Sequence, residues 1–370
     1  EAVNARMLFP GWDEPLFRAS FAIDVTAPRA WQVLSNQPVT RSETVSQGRR
    51  RWHFASTPPM PSYLVAVAVG RFDVLEGQSV GIPLRIYTVP GNREQARAAL
   101  RATEQVLPYF SGYFGTPYAL PKLDQLAVPG TRDGAMEDWG LISYVDDTLL
   151  YDPGRSSPRT ERTIFDTVAH EIAHQWFGNL VSVALWDEIW LNEAFATWMA
   201  NKATERFHPE WQSQLAARQW LDRTMARDAT AATRAIRSGE VDEARVFDVF
   251  DNITYSKGGA VLSMLEQWIG EDAFQRGLAA YMHDRRMAPA TAGDLWHHIG
   301  AAAKQPVTAV AATWTDQPGF PLIDAKTACE AGSTRVSLKQ TRFGASASLS
   351  SQGLWQVPVR AVQGERVATW

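Results

Sequence analysis

A single cysteine, Cys329, stands among 370 residues. One thiol excludes an internal disulfide framework and a cysteine-rich zinc knuckle. It leaves the compartment open: cytoplasmic, periplasmic and secreted chains can all lack cysteine. No apolar run approaches the roughly 20 residues that a membrane helix needs. The longest, "YLVAVAVG" at 63–70, has the length of a strand. A surplus of basic charge is missing as well. Lys and Arg total 36 against 40 Asp and Glu, for a net charge of −4, and the signs are well mixed. That excludes the electrostatic footprint of a nucleic-acid partner. What remains is ordinary for a folded chain, 45% hydrophobic and 21% charged. Two or three domains are expected at this length.

Glu1 starts in mid-segment without a Met, and Trp370 stops inside a strand-like stretch. The expectation is a fragment, in which the missing signal peptide carries no information.

Residues 1–74 read mostly as β, alternating or running apolar between Pro and Gly. "PLRIYTVP" and "KLDQLAVP" read as strands, and 93–112 has helical spacing. Helical periodicity then dominates, at 160–177, 191–207, 211–226, 254–269, 272–284, 291–303 and 306–315. "QPGFP" at 317–321 is turn punctuation. After it, "STRVSLKQTRF" and "GLWQVPVRAV" return to β patterning around a polar loop at 344–353. No internal repeat is visible.

The chemistry concentrates in "VAHEIAHQWFGNL", 168–180. On a helix, His170 and His174 stand one turn apart on one face. Two neutral imidazoles so placed can bind one metal ion, and Glu171, one step round, can hold a water beside it. A buried structural helix can also spell this pattern. A third ligand is available in Glu193, in the first turn of the next periodic segment, "WLNEAFATWMA". Two His and one Glu leave a fourth position open, the mark of a catalytic site. An acid in a first turn is also stabilised by the helix dipole alone. The aromatic stretch between them, "WFGNLVSVALWDEIWL", suits either a dry metal surround or plain core. The other five histidines, His53, His208, His283, His297 and His298, are isolated or diverge, and form no rival site.

Taken together, "HEIAHQWFGNLV", the eighteen-residue spacing to Glu193 in "LNEAFA", "GAMEDWGLISY" (134–144) and "ITYSKGGAVLSML" (253–265) resemble the gluzincin aminopeptidases. That is the alanyl, puromycin-sensitive and leukotriene-hydrolase group. "ARMLFPGWDEPLFRASF", "TPPMPSYLVAVAVGRF" and "WTDQPGFPLI" look like its flanking regions. The resemblance covers nearly the whole chain. It implies a multidomain α+β fold: part of an N-terminal β-rich domain (1–74), a thermolysin-like mixed α/β catalytic domain carrying the HExxH helix (75–317), and the start of a small β-sandwich (318–370). A C-terminal helical domain and a conserved Gln ahead of Glu1 would lie outside.

The resemblance also implies the roles. One Zn2+ would be held by His170, His174 and Glu193. Glu171 would take a proton from the attacking water and pass it to the leaving amine. Tyr255 would donate a hydrogen bond to the developing oxyanion. Glu137 would grip the free α-amino group of a peptide substrate, assisted by Glu1. Gly134, Ala135 and Met136 of the same motif would line the substrate, and Asp133 would face its first side chain. A carboxylate there attracts a cation and repels an anion, so Arg or Lys would be accepted and Asp or Glu rejected; alternatively Asp133 points to solvent or pairs with Arg132 and has no part in specificity. No nucleic acid and no membrane span are expected. The sequence departs from the pattern at Asp138 (usually Asn), Ala194 (often Gly) and Leu185 (often Trp); none is a ligand or proton carrier. "NIT" at 252–254 abuts Tyr255 and is read as a chance glycosylation signal. Two alternatives share the fold: an epoxide hydrolase of the leukotriene type, against which the "GAMED" wording argues, and an inactive scaffold, against which the intact ligand set argues.

Overall fold

The computed structural model describes residues 2–130, 134–239, 241, 245–330, 332–344, 353–363 and 366–369. Glu1, Asp133 and most of the 344–353 loop, all singled out above, lie outside the described residues. No helix among the described residues is long and apolar enough to cross a membrane.

The first part is built from short strands: β1 (Arg18–Ala19), β2 (Asp24–Pro28), β3 (Gln32–Ser35), β4 (Val39–Ser46), β5 (Arg49–Phe54), β6 (Met60–Pro61) and β7 (Val67–Gly70). β2, β5 and β4 form an antiparallel sheet, while β3 pairs with β7 and β1 with β6. A small core of Ala27, Val33, Trp52 and Phe54 holds this part together.

A five-stranded sheet follows, in the order β11-β12-β10-β9-β8, from β8 (Asp73–Ser79), β9 (Ile82–Thr88), β10 (Leu123–Val128), β11 (Ala135–Met136) and β12 (Leu141–Val145). β9, β10 and β12 run parallel; β8 and β11 are antiparallel edges. Strand alternation sorts the side chains between two cores. Leu84, Ile86, Leu123, Ile142 and Tyr144 enter the main core. Tyr87, Leu126 and Leu141 face the other way and pack with Leu34, Ala66, Ala68 and Phe72 of the preceding part. A sheet covered on both faces explains why β10 is buried nearly throughout; its two polar residues are satisfied there, Asp124 by Arg85 and Lys122 and Gln125 by Thr103.

The α-helices among the described residues are α1 (Arg97–Tyr113), α2 (Pro158–Ala173), α3 (Trp190–Phe207), α4 (Ser213–Asp228), α5 (Gly258–Ile269), α6 (Glu271–Asp284), α7 (Ala292–Ala303) and α8 (Val307–Thr315). All follow the periodic segments within a few residues. Pro158 opens α2 at a position whose N–H needs no partner. Thr291 and Asp294 close a reciprocal capping box on α7. Two expectations need correction. α2 ends at Ala173 rather than 177, because the chain turns away through Gly178 at φ +119°. The helix expected from 254 begins as a π-helical turn, Ile253–Lys257.

β13 (Ser182–Val183) and β14 (Pro289–Ala290) form a short parallel bridge, and β15 (Pro321–Glu330) and β16 (Ser333–Arg342) an antiparallel pair of ten residues each. β17 (Arg360–Gln363) pairs with β18 (Arg366–Thr369). Residues 353–359, expected as strand, are irregular. There the Gln340 side chain replaces a ladder partner, giving and accepting one bond each with the Trp355 backbone at 2.9 Å.

Candidate metal centre and active site

His170 lies in the last turn of α2 and His174 just past its end. Their Nε2 atoms are 3.0 Å apart. Glu193, in the first turn of α3, brings Oε2 to 3.2 Å from His170 Nε2 and 3.4 Å from His174 Nε2. Ligands held at 2.0–2.1 Å by one tetrahedral zinc ion stand about 3.3 Å apart. The donor set and its spacing therefore fit that ion. His174 Nδ1 donates to the Phe177 carbonyl at 3.0 Å, which turns its Nε2 lone pair inward. No other histidine joins a cluster with metal-ligand spacing among the described residues.

The charges point the same way. Burial works to lower the pKa of His174, but Glu137 and Glu193 override it and raise it to about 10. His170 is lowered, chiefly by burial. Glu193 is driven below the usual carboxylate range: burial opposes this, and the two histidines prevail. The pocket thus demands positive charge, and two imidazoles facing each other cannot both supply it.

Glu171 is buried, and its Oε2 has no hydrogen-bond partner among the described residues. Burial raises its pKa well above the usual range; His174 opposes the shift, and Glu137, Glu193 and Asp138 reinforce it. Ligand atoms of Glu137, Glu171 and His174 all lie within 4.8 Å of one another. Sequence spacing placed Glu171 beside one metal position; the fold also places it beside Glu137.

Glu137 follows the edge strand β11, which joins the sheet only through β12 among the described residues. Gly134, Ala135 and Met136 therefore present sheet edge, a backbone surface suited to an extended peptide. The Glu137 carbonyl accepts from Asn179 Nδ2 at 2.8 Å and Gln175 Nε2 at 3.3 Å. Gln175 also bonds the Glu171 carbonyl at 3.1 Å. These two amides tie the edge strand to the histidine helix. Sequence reasoning missed both, although two amides within an apolar stretch were a signal. Arg18 was missed too: its Nη2 donates to the carbonyls of Pro59 (2.8 Å) and Asn179 (2.9 Å), joining the first β part to the site. So was Tyr63, buried against Trp186, whose hydroxyl accepts from Asn192 Nδ2 at 3.5 Å.

Tyr255 stands on the π-helical turn, its ring 6.0 Å from that of His170 and inclined by 28°. Burial, then the charges of Glu193, Glu137 and Glu171, raise its pKa well above 10. The hydroxyl therefore keeps its proton and stays a donor. Of the departures from the pattern, Asp138 is buried and accepts from Ser143 Oγ at 3.0 Å. Leu185 is exposed. Ala194 is fully buried against Gly258.

A family profile described as "Peptidase family M1 domain" matches residues 98–314, and "Peptidase M1 N-terminal domain" matches residues 1–64. Aminopeptidase M1-B of Oryza sativa subsp. japonica is 39% identical over 368 residues, covering 98% of this chain and 41% of the relative. Aminopeptidase M1 of Arabidopsis thaliana is 38% identical over 363 residues, covering 97% and 40%. Glutamyl aminopeptidase of Mus musculus is 36% identical over 370 residues, covering 97% and 38%. The chain spans about two fifths of the length of these relatives. On the matched profiles and these identities, it belongs to the peptidase M1 family.

Proposed function

We propose that this chain carries the active site of a zinc aminopeptidase, which removes the N-terminal residue of peptides. One observation carries the reading. Beyond the three metal-binding groups and a base, a further buried carboxylate, Glu137, shares the cluster with Glu171 and His174. A base and a metal suffice for hydrolysis. The extra anion suits an ammonium group, and a gripped α-amine fixes the distance to the first peptide bond.

His170, His174 and Glu193 would hold the ion. When bound, zinc supplies Lewis acidity, polarising a carbonyl and acidifying water near neutral pH. Glu171 accepts a proton from the attacking water at its free Oε2 and returns it to the departing amine. Tyr255 donates to the oxygen that gains charge. Gly134, Ala135 and Met136 align the peptide by its backbone. The proposed domain limits, 1–74, 75–317 and 318–370, put every one of these residues in the middle unit.

Asp133 and Glu1 keep their proposed parts beside the first side chain and the amine. A relative named for glutamyl substrates makes the Asp133 reading a sharp one, because a carboxylate there repels an acidic residue. Comparing kcat/KM for N-terminal Arg, Leu and Glu, with and without Asp133→Ala, decides between them. The function itself is tested with aminoacyl fluorogenic substrates, free and N-acetylated, with and without chelator. Cleavage confined to free amines and abolished by chelation is expected. Equal cleavage of blocked peptides would make the protein an endopeptidase.

A further inference from the structure

Tyr255 does not stand on a regular α-helical turn. Its π-helical segment is a wider, rarer geometry that recurs at functional sites. Such a turn needs outside support if a hydroxyl on it is to meet a reacting oxygen within a few tenths of an ångström. We propose that Arg234, acting with Asp251 and Thr254, is the positioning residue that fixes this turn and so aims the Tyr255 hydroxyl. The inference rests on the reading of Tyr255 as oxyanion donor.

The Arg234 guanidinium gathers the polar groups at the start of the turn. Its Nη2 donates to Asp251 Oδ1 (2.6 Å), Thr254 Oγ1 (2.8 Å) and the Val249 carbonyl (3.0 Å). Its Nη1 holds the carbonyls of Ala235 and Ile236 at 2.9 and 3.1 Å. Asp251 Oδ1 passes the charge on, accepting the N–H groups of Ile253 (2.9 Å) and Thr254 (3.3 Å), which no preceding turn can satisfy. Thr254 Oγ1 accepts from Arg234 and donates to Val249 O at 2.7 Å. Tyr255 N–H itself bonds the Asp251 carbonyl at 3.1 Å. Thr254 is fully buried, and the Arg234 and Asp251 side chains are only 23% and 17% exposed. Charge-assisted bonds in such surroundings are the stronger kind.

The far end is pinned separately. Lys257 Nζ pairs with Asp228 Oδ2 at 2.8 Å and donates to the Gly319 carbonyl at 2.8 Å. Gly258 then rests directly on Ala194, the neighbour of Glu193. With that end held, Arg234 governs the freedom left at the Tyr255 end.

The test uses the metal-loaded protein. Arg234→Met should lower kcat about tenfold through a sub-ångström displacement, with KM and zinc content within about twofold. In a Tyr255→Phe background the same substitution should change kcat by less than about twofold, since the two act through one hydroxyl. Hydrogen exchange of amides 253–258 should quicken by roughly tenfold. An equal fall in both backgrounds, or unchanged exchange, overturns the proposal. If Arg234→Met does not accumulate, Thr254→Val, which keeps shape and loses the relay, is read by the same criteria. The two readings fail separately: an unaltered kcat in Tyr255→Phe removes the oxyanion role, whereas exchange reports whether Arg234 holds the turn.

Discussion

The Nε2 atoms of His170 and His174 lie 3.0 Å apart, too close for each to carry a proton toward the other. Glu193 lies against both rings and Glu137 beside His174, so the two imidazoles hold at most one proton between them. A divalent ion would take the place of that proton. Replacing His174 or Glu193 by Ala should cut zinc occupancy well below one per chain, measured by elemental analysis of the purified variants. Full occupancy in both would show that the ion binds elsewhere.

Glu171→Gln should retain zinc and lose about 10²–10⁴-fold in kcat, the range for a missing general acid/base. The amide keeps the side chain's shape but cannot accept the proton at Oε2. Single-turnover rates alongside metal content separate this from loss of the ion. Near-parental turnover would strip Glu171 of the role.

Tyr255→Phe should lower kcat by about 10²–10³-fold, as for one oxyanion donor. KM should hardly move, because that bond strengthens only as charge develops. Steady-state kinetics on a single peptide series suffice; an unchanged kcat makes Tyr255 a packing residue.

Glu137→Ala should weaken free-amine substrates and amine-bearing inhibitors by roughly 10- to 100-fold, the range for one charge-assisted bond. Inhibitors without an amine should be unaffected. Inhibition constants for a matched pair give the answer, and parallel losses for both would place Glu137 outside the amine site.

Glu188 offers a prediction about stability. It is buried and accepts the Ala292 N–H at 3.1 Å. Burial raises its pKa from 4.5 to about 7, although that bond and Arg237 pull it down. Between those values the folded chain holds a proton that the unfolded chain has released. Stability should therefore be full below pH 4.5 and fall as the pH rises to 7, by about 1–2 kcal/mol after solvent screening. Glu188→Gln should flatten this part of the profile, as read from urea midpoints at pH 5 and 7.5. A parallel slope in the variant would assign it to other groups.

The gathering of His170, His174 and Glu193 was legible because its geometry is local. A 3.6-residue period puts His170 and His174 on one face, and Glu193 begins the next helix. The roles proposed for Glu137 and Tyr255 came from whole motifs, since neither residue announces itself by spacing. What held those motifs in place was hidden. Arg18 reaches Asn179 across 161 positions, and Asn179 reaches Glu137 across 42. Both bonds end on backbone carbonyls, which every residue possesses, so no residue type at the far end betrays them. The π-helical turn was read as ordinary helix because one widened turn scarcely disturbs apolar periodicity. At 353–359, alternation suggested a ladder that a glutamine side chain supplies instead.

The meeting of Gly258 with Ala194 has a consequence for how this site can drift. A Cβ on Gly258 would come within 2.7 Å of the Ala194 Cβ. The crossing has room for one methyl group, not two. Gly258→Ala alone should push α5 from α3 and part Tyr255 from Glu193, while Gly258→Ala with Ala194→Gly moves the methyl across and keeps the spacing. The two positions thus act as one steric unit: the methyl can move to the other helix without crowding only through the glycine–glycine pair or by both changes at once.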